Sequence, residues 1–165
     1  MTTDTKRFLV KFLRKHTPKG KVLDVGSRLI NGSIKEYCTD VGLEYTGLDM
    51  IEGGNVDVVG NAHDIKSLFK PESFDVVICF DTLEHDEKFW ITVENMRWVL
   101  KKGGWLVICA PGCAWSVHAW PDDYYRFLPS TFREIFFESF TDTYCYILGD
   151  SMLPAEVFGW GRKPL

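Results

Sequence analysis

Apolar and polar residues along the chain change period from segment to segment, and the changes outline alternating helices and strands. In DTKRFLVKFLRK (4–15), Phe8, Leu9, Phe12 and Leu13 share one face at helical spacing, and Lys6, Arg7, Lys11, Arg14 and Lys15 fill much of the rest. That is the pattern of a helix packed on a sheet with its charged face in water. Pro18 and Gly20 end it. KVLDVG (21–26), EYTGLDM (44–50), VDVVG (56–60), FDVVICF (74–80) and GWLVICA (104–110) are predicted strands. Between them, 32–41 is compatible with helix, 63–70 with a short helix or turn, and 86–101 carries Phe89, Trp90, Val93, Met96, Arg97 and Leu100 at helical spacing. A helix over 130–138, started by Pro129–Ser130, and strands over 142–148 and 155–160 complete the pattern. Strands interleaved with helices imply an α/β fold, a parallel sheet covered on both faces. The continuous apolar runs 76–80 and 106–110 fit its central strands. With no repeat or linker, 165 residues suggest a single domain over 1–165.

In such a sheet, ligands bind beyond the carboxyl ends of the strands. The predicted ends carry a recurrent chemistry. Strand one ends at Asp24 and Gly26, strand two at Asp49, and strand three is followed by Gly60, Asn61, Ala62 and His63. Strand four ends at Asp81 with Glu84 and His85 close behind, and strand five at Pro111–Gly112. Asp49 follows Gly26 by 23 positions, near the offset of an acid that takes ribose hydroxyls. A carboxylate suits that task because it accepts two hydrogen bonds at once. The alternative for Asp49 is a turn aspartate before Gly53–Gly54. VLDVGSRLINGS (22–33) lacks G-x-G-x-x-G, since Arg28 stands at the second glycine. A pyrophosphate wants backbone N–H groups at a helix start, and Asp24 beside it would repel it. An acidic lip with a looser glycine turn suits a cationic nucleoside, S-adenosylmethionine. Asp24 could equally organise the turn through its own backbone N–H groups.

Charge and composition narrow the field. The net charge of −4 argues against a broad basic surface for nucleic acid. No apolar run approaches the ~18 residues of a membrane span, and the polar 2–7 segment is not a signal peptide. Five cysteines, an odd number without C-x-x-C, suggest a reducing, cytoplasmic setting. Four histidines show no ligand spacing such as H-x-x-x-H, so no metal is expected. No G-x-S-x-G elbow marks a serine hydrolase. Aromatic residues reach 15%, many after residue 88, where they could be core or line a cleft.

The chain resembles class I S-adenosylmethionine-dependent methyltransferases of the small "type 11" kind. The resemblance rests on VLDVGSRLINGS (22–33), YTGLDM (45–50), VDVVGNAHDI (56–65), FDVVICFDTLEH (74–85), VLKKGGWLVICAPG (99–112) and HAWPDDYYRFLPSTF (118–132), in the family's order. It implies a Rossmann-like three-layer sandwich. The sheet would have seven strands, mostly parallel, with the last strand antiparallel and inserted beside the fifth. S-adenosyl-L-methionine would be the methyl donor and S-adenosyl-L-homocysteine the product. Asp24, Gly26 and Ser27 would lie near the methionine part. Gly32 would be the second turn glycine, displaced by Leu29–Ile30–Asn31. Asp49, beside Met50, would hold the ribose. Asn61, where many relatives have Asp, would take the adenine edge with the Ala62–His63 backbone. Phe80 and Asp81 would sit at the amino-acid end. Arg28 would either crowd the site or reach the cofactor carboxylate.

Methyl transfer from a sulfonium is an in-line displacement in which the protein mainly positions the nucleophile. A base is needed only when the nucleophile arrives protonated. His118 is the preferred base candidate. HAWPDDYYRF (118–127) is a loop beyond strand five that is either a substrate pocket, using Asp122, Tyr124, Tyr125 and Arg126, or a packed loop with an Asp–Arg pair and buried rings. His85 is expected to be structural or to lie at the cofactor's edge. The expected activity is methyl transfer to a small-molecule or sugar-like acceptor. The competing readings are a non-catalytic adenosyl-ligand or interaction module, motivated by Arg28 and the short chain, and a Rossmann-type oxidoreductase, disfavoured by the missing fingerprint.

Overall fold

A computed structural model describes residues 2–30, 32–118 and 122–165. Helix α1 (Thr3–His16) opens on a capping box in which the Thr2 side chain accepts from the Thr5 N–H and the Thr5 hydroxyl accepts from the Thr2 N–H. It stops at Thr17, whose φ is 41°. Strand β1 (Gly20–Val25), helix α2 (Lys35–Asp40), strand β2 (Leu43–Asp49) and the two-residue strand β3 (Val58–Val59) follow. A 3-10 turn (Ala62–Asp64) leads into the short helix α3 (Ile65–Leu68). Then come strand β4 (Phe74–Phe80), a 3-10 turn (Leu83–His85), helix α4 (Phe89–Val99) and strand β5 (Leu100–Pro111). The short helix α5 (Pro129–Thr131) runs into a π turn (Phe132–Phe136), and strands β6 (Thr141–Gly149) and β7 (Pro154–Arg162) close the chain.

All seven strands form one sheet in the order β3-β2-β1-β4-β5-β7-β6. β1 to β5 pair in parallel, and β7 runs antiparallel between β5 and β6. Alternation along the strands divides the core between the two faces. Val76, Ile78 and Phe80 of β4 meet Phe8, Leu9, Phe12 and Leu13 of α1, with Trp160 of β7. Val77 and Cys79 meet Val93, Met96 and Val99 of α4, with Phe132, Phe136 and Phe137. This is the expected three-layer arrangement. Chain order reverses where β1 lies beside β4, so the cleft of an open α/β sheet opens above that pair.

Three predicted elements differ from the observed ones, the first being the helix expected over 86–101, which runs Phe89–Val99 and leaves Leu100 to β5. The strand expected over 56–60 shortens to Val58–Val59. The helix expected over 130–138 is one α turn followed by a π turn, closed by the Phe137 N–H on the Phe132 carbonyl at 2.9 Å. The wider turn lets Phe132, Phe136 and Phe137 all reach the core. Phe137 and Phe132 then lie flush on Gly159, where an added Cβ would come 2.6 Å and 2.8 Å from their rings.

Candidate active site

Above the β1–β4 boundary is a cleft of about 400 Å³. Strands β1 to β4 deliver their next residues there, whereas Pro111 and Gly112 at the end of β5 do not line it. The Gly26 and Ser27 N–H groups bond the Leu48 carbonyl at 2.9 and 3.1 Å, turning the chain off β1. Gly26 has φ 81°, and a Cβ on it would meet Thr82 Oγ1 at 2.0 Å, so only glycine lets these strand ends come together. The Gly60 N–H bonds the Asp49 carbonyl at 2.9 Å and the Asp81 N–H the Cys109 carbonyl at 3.1 Å.

Of the residues anticipated for a cofactor, Gly26, Asp49, Met50, Asn61, Ala62, His63 and Asp81 line this cleft, and Tyr124 joins them from the later loop. Asp49 ends β2. Its Oδ2 accepts the Arg28 N–H at 3.1 Å and its Oδ1 the Ile51 N–H at 3.1 Å. These two bonds fix the carboxylate and leave lone pairs toward the cleft. The side-chain stem of Arg28 lies over Gly53, and Arg28 itself lines the cleft. Asn61 caps the following 3-10 turn, its Oδ1 accepting the His63 N–H at 2.8 Å. His63 Nε2 lies 2.8 Å from Asp86 Oδ1.

Other anticipated residues are elsewhere. Asp24 is buried and lies below the cleft, not on its wall; the Tyr45 hydroxyl donates to its Oδ2 at 2.6 Å. Burial pushes its carboxyl up to about 7; the Tyr45 hydrogen bond opposes that and the Asp49 charge adds to it. Phe80 packs against Phe8 under α1 as core, because its side chain takes the α1 face of β4. Ser27 is buried beside Gly47, and Gly32, at φ 126°, is not on the cleft wall. Asn31 lies outside the described residues.

The 118–127 loop resolves mainly as packing, with Ala119, Trp120 and Pro121 outside the described residues. Arg126 pairs with Asp123, Nη2 to Oδ2 at 2.6 Å, and also donates to the Trp115 and Ser116 carbonyls at 3.1 and 2.9 Å. That pairing holds the Asp123 carboxyl well below the usual carboxylate range. Arg126 is thus a loop staple away from the cleft. Tyr125 donates to the Glu87 carbonyl at 2.8 Å and packs edge-on to Phe89. Asp122 offers its backbone carbonyl to His85 Nδ1 at 2.6 Å. His118 does not line the cleft; its Nε2 faces Glu84 Oε1 at 3.7 Å.

Glu84 was named among the acids at the strand ends but was given no role. It is fully buried, and neither carboxylate oxygen has a hydrogen-bond partner among the described residues. Burial first, then the Asp81 charge, pushes it up to about 8. The expectation of no metal-ligating group rested on sequence spacing, whereas Glu84, His85 and His118 meet through the tertiary fold. Thr82, Asp86 and Thr92 complete the cleft's polar wall. Their only sequence signal was proximity to the end of β4 or to the start of α4.

The methyltransferase-domain family matches residues 23–108. A search of curated proteins found no match. Among solved structures, an S-adenosylmethionine-dependent methyltransferase from Archaeoglobus fulgidus is similar at 17% identity and TM-score 0.72, covering 96% of this chain and 94% of that one. The Burkholderia thailandensis 1,6-didemethyltoxoflavin-N1-methyltransferase, bound to 1,6-didemethyltoxoflavin and S-adenosylhomocysteine, is 15% identical with TM-score 0.75, covering 99% and 79%. The Haemonchus contortus phosphoethanolamine N-methyltransferase 2, with phosphomonomethylethanolamine and S-adenosylhomocysteine, is 17% identical with TM-score 0.72, covering 97% of this chain and 53% of that one. The matched segment runs from β1 into β5 and carries the cleft's strand ends, and the chain belongs to the methyltransferase-domain family with the class I S-adenosylmethionine-dependent fold.

Proposed function

We propose that the chain transfers a methyl group from S-adenosylmethionine to a small-molecule acceptor and releases S-adenosylhomocysteine. The carrying observation is Asp49, held at the end of β2 by two backbone N–H groups with its remaining acceptor capacity on the cleft. A diol is the natural partner for such a carboxylate. Gly26 gives room for close approach, and Met50, Ile51 and Ala62 offer an apolar slot for a base, with Asn61 and His63 at its edge. The residues therefore fit an adenosyl ligand.

Bound there, S-adenosylmethionine supplies a methyl group on a sulfonium, a good leaving group. The protein's task is then orientation and exclusion of water. Asp81 and Tyr124 stand on the cleft wall where an acceptor can be positioned. The structures of the nematode and Burkholderia enzymes, each holding S-adenosylhomocysteine with a small acceptor, support a small-molecule acceptor here.

Calorimetry with S-adenosylmethionine, S-adenosylhomocysteine and NAD tests the reading. Micromolar binding of both adenosyl compounds and none of NAD is expected. Asp49→Ala should weaken binding by roughly 100-fold, the loss of two charge-assisted hydrogen bonds. NAD binding, or unchanged affinity in the variant, would overturn it. Release of S-adenosylhomocysteine across a panel of small acceptors tests turnover, and binding without turnover on any acceptor would favour a non-catalytic module.

A further inference from the structure

At the cleft's border, three potential ligands converge from segments far apart in the chain. Glu84 and His85 come from the 3-10 turn after β4, and His118 from the loop after β5. His85 Nε2 lies 3.8 Å and His118 Nε2 3.7 Å from the same oxygen, Glu84 Oε1. The imidazole rings stand edge to face, centroids 5.0 Å apart.

The hydrogen bonds fix what each group presents. His85 Nδ1 is 2.6 Å from the Asp122 carbonyl and His118 Nδ1 is 3.2 Å from the Ser116 carbonyl. Carbonyls only accept, so both Nδ1 atoms carry a hydrogen, and Nε2 is the nitrogen each ring turns toward Glu84. Asp123 braces His118 further, accepting its backbone N–H at 2.7 Å. Two Nε2 atoms and a carboxylate oxygen thus face one another, and Glu84 is buried without a hydrogen bond among the described residues. A cation binding there takes neutral imidazole Nε2 atoms and an ionised carboxylate, so its binding releases any proton the group holds. The Nδ1–H···O=C bonds are also the usual outer support of a metal-ligating histidine.

We propose that Glu84, His85 and His118 form a binding site for a divalent first-row transition cation beside the acceptor end of the cleft. Bonds of about 2.1 Å put neighbouring ligand atoms roughly 3.0–3.5 Å apart; the two Nε2–Oε1 separations are 3.7 and 3.8 Å and all three ligand atoms lie within 4.8 Å of one another, so cation binding draws the three side chains closer together. Two imidazoles and one carboxylate favour Zn²⁺, Co²⁺, Mn²⁺ or Fe²⁺ over Mg²⁺ or Ca²⁺, which prefer oxygen. Three protein ligands leave positions open, and His85 also lines the cleft. An oxygen of the acceptor can therefore enter the cation's coordination shell. That last use rests on the methyl-transfer reading, whereas the site itself does not. A second group, Asp81, Cys109 and Glu156, also converges. There Glu156 already accepts from the hydroxyls of Thr5 and Thr2 at 3.3 and 3.4 Å, and it is assigned no ion.

The test is titration of chelator-treated protein with Co²⁺, followed by calorimetry and visible absorption. Cys113 is an exposed thiol, so a Cys113→Ser background removes its competition. One Co²⁺ per chain is expected, with ligand-field bands and no thiolate-to-metal absorption. His118→Ala should weaken it about 100-fold or more. Glu84→Gln, which keeps side-chain shape, should do the same while melting cooperatively. No Co²⁺ binding, thiolate absorption, or equal affinity in both folded variants would overturn the proposal. S-adenosylhomocysteine binding measured on the same samples separates the two readings. Its loss in the unsubstituted chain strikes methyl transfer, while the Co²⁺ count decides the metal site independently.

Discussion

Asp24 shows how one residue's chemistry changes between sequence and structure. An acid after a buried strand suggested a fixed negative charge for a cationic ligand. In the fold it is buried, bonded to Tyr45, and pushed up to about 7. The unfolded chain releases this proton near 3.8. Between about pH 4 and pH 7 the folded state therefore holds more protons, and its stability falls as pH rises through that window. The titratable groups near Asp24 include the Tyr45 hydroxyl, the Cys38 and Cys79 thiols and the Asp49 carboxylate. Asp24→Asn keeps an acceptor for Tyr45 and removes the titration. Urea denaturation at a series of pH values should show a flatter profile, differing by as much as about 4 kcal/mol across the window. A slope equal to the parent's would show that Asp24 ionises normally. Asp49 differs from Asp24 because two backbone N–H groups hold it at a strand end. The offset from Gly26 was legible in sequence, and its role needed only local backbone geometry. The depth of Asp24 depends on which face of β1 its side chain takes and on Tyr45 from β2, and neither is local.

At the scale of elements, α1 is the clearest case of pattern fixing structure. Its predicted apolar face, Phe8, Leu9, Phe12 and Leu13, is the face buried, and its lysines and arginines remain outward. The capping box fixes its start, and Thr2 and Thr5 also donate to Glu156 of β7, which ties the helix end to the sheet. Phe12 is fully buried against Trp105 and Trp160. Phe12→Ala should cost about 3–5 kcal/mol, read as a drop in the urea midpoint at unchanged slope; a loss below about 1 kcal/mol would mean that α1 docks loosely. The 130–138 segment is the counter-example. Its phenylalanines have helical spacing, yet three of them must reach the core over glycines of β7, and a π turn achieves that. Nothing within the segment announces that the facing strand is flat there.

For the whole molecule, the order of strands creates the site. Placing β1 beside β4 opens the cleft, and the parallel strands β1 to β4 bring their carboxyl ends to it. A ligand bridging those ends binds only the folded state. S-adenosylhomocysteine at about 100 times its dissociation constant should therefore add about 2.7 kcal/mol and raise the melting temperature. NAD at equal concentration should leave it unchanged, and a rise with NAD would contradict the assignment of the cleft. Among the described residues no helix is long and apolar enough to cross a membrane.

The sequence by itself determined most of the elements, their alternation, the buried face of α1, and the cleft residues at or just after strand ends: Gly26, Asp49, Asn61 and Asp81. Those features depend on period and on near neighbours, which a linear pattern records. Only the tertiary structure decided that Asp24 is buried, that Arg126 staples its own loop, and that Phe80 is core. It alone brought Glu84 and His85 to His118, 33 positions further on. Burial and convergence depend on which segments the sheet stacks together, and electrostatics depends on both.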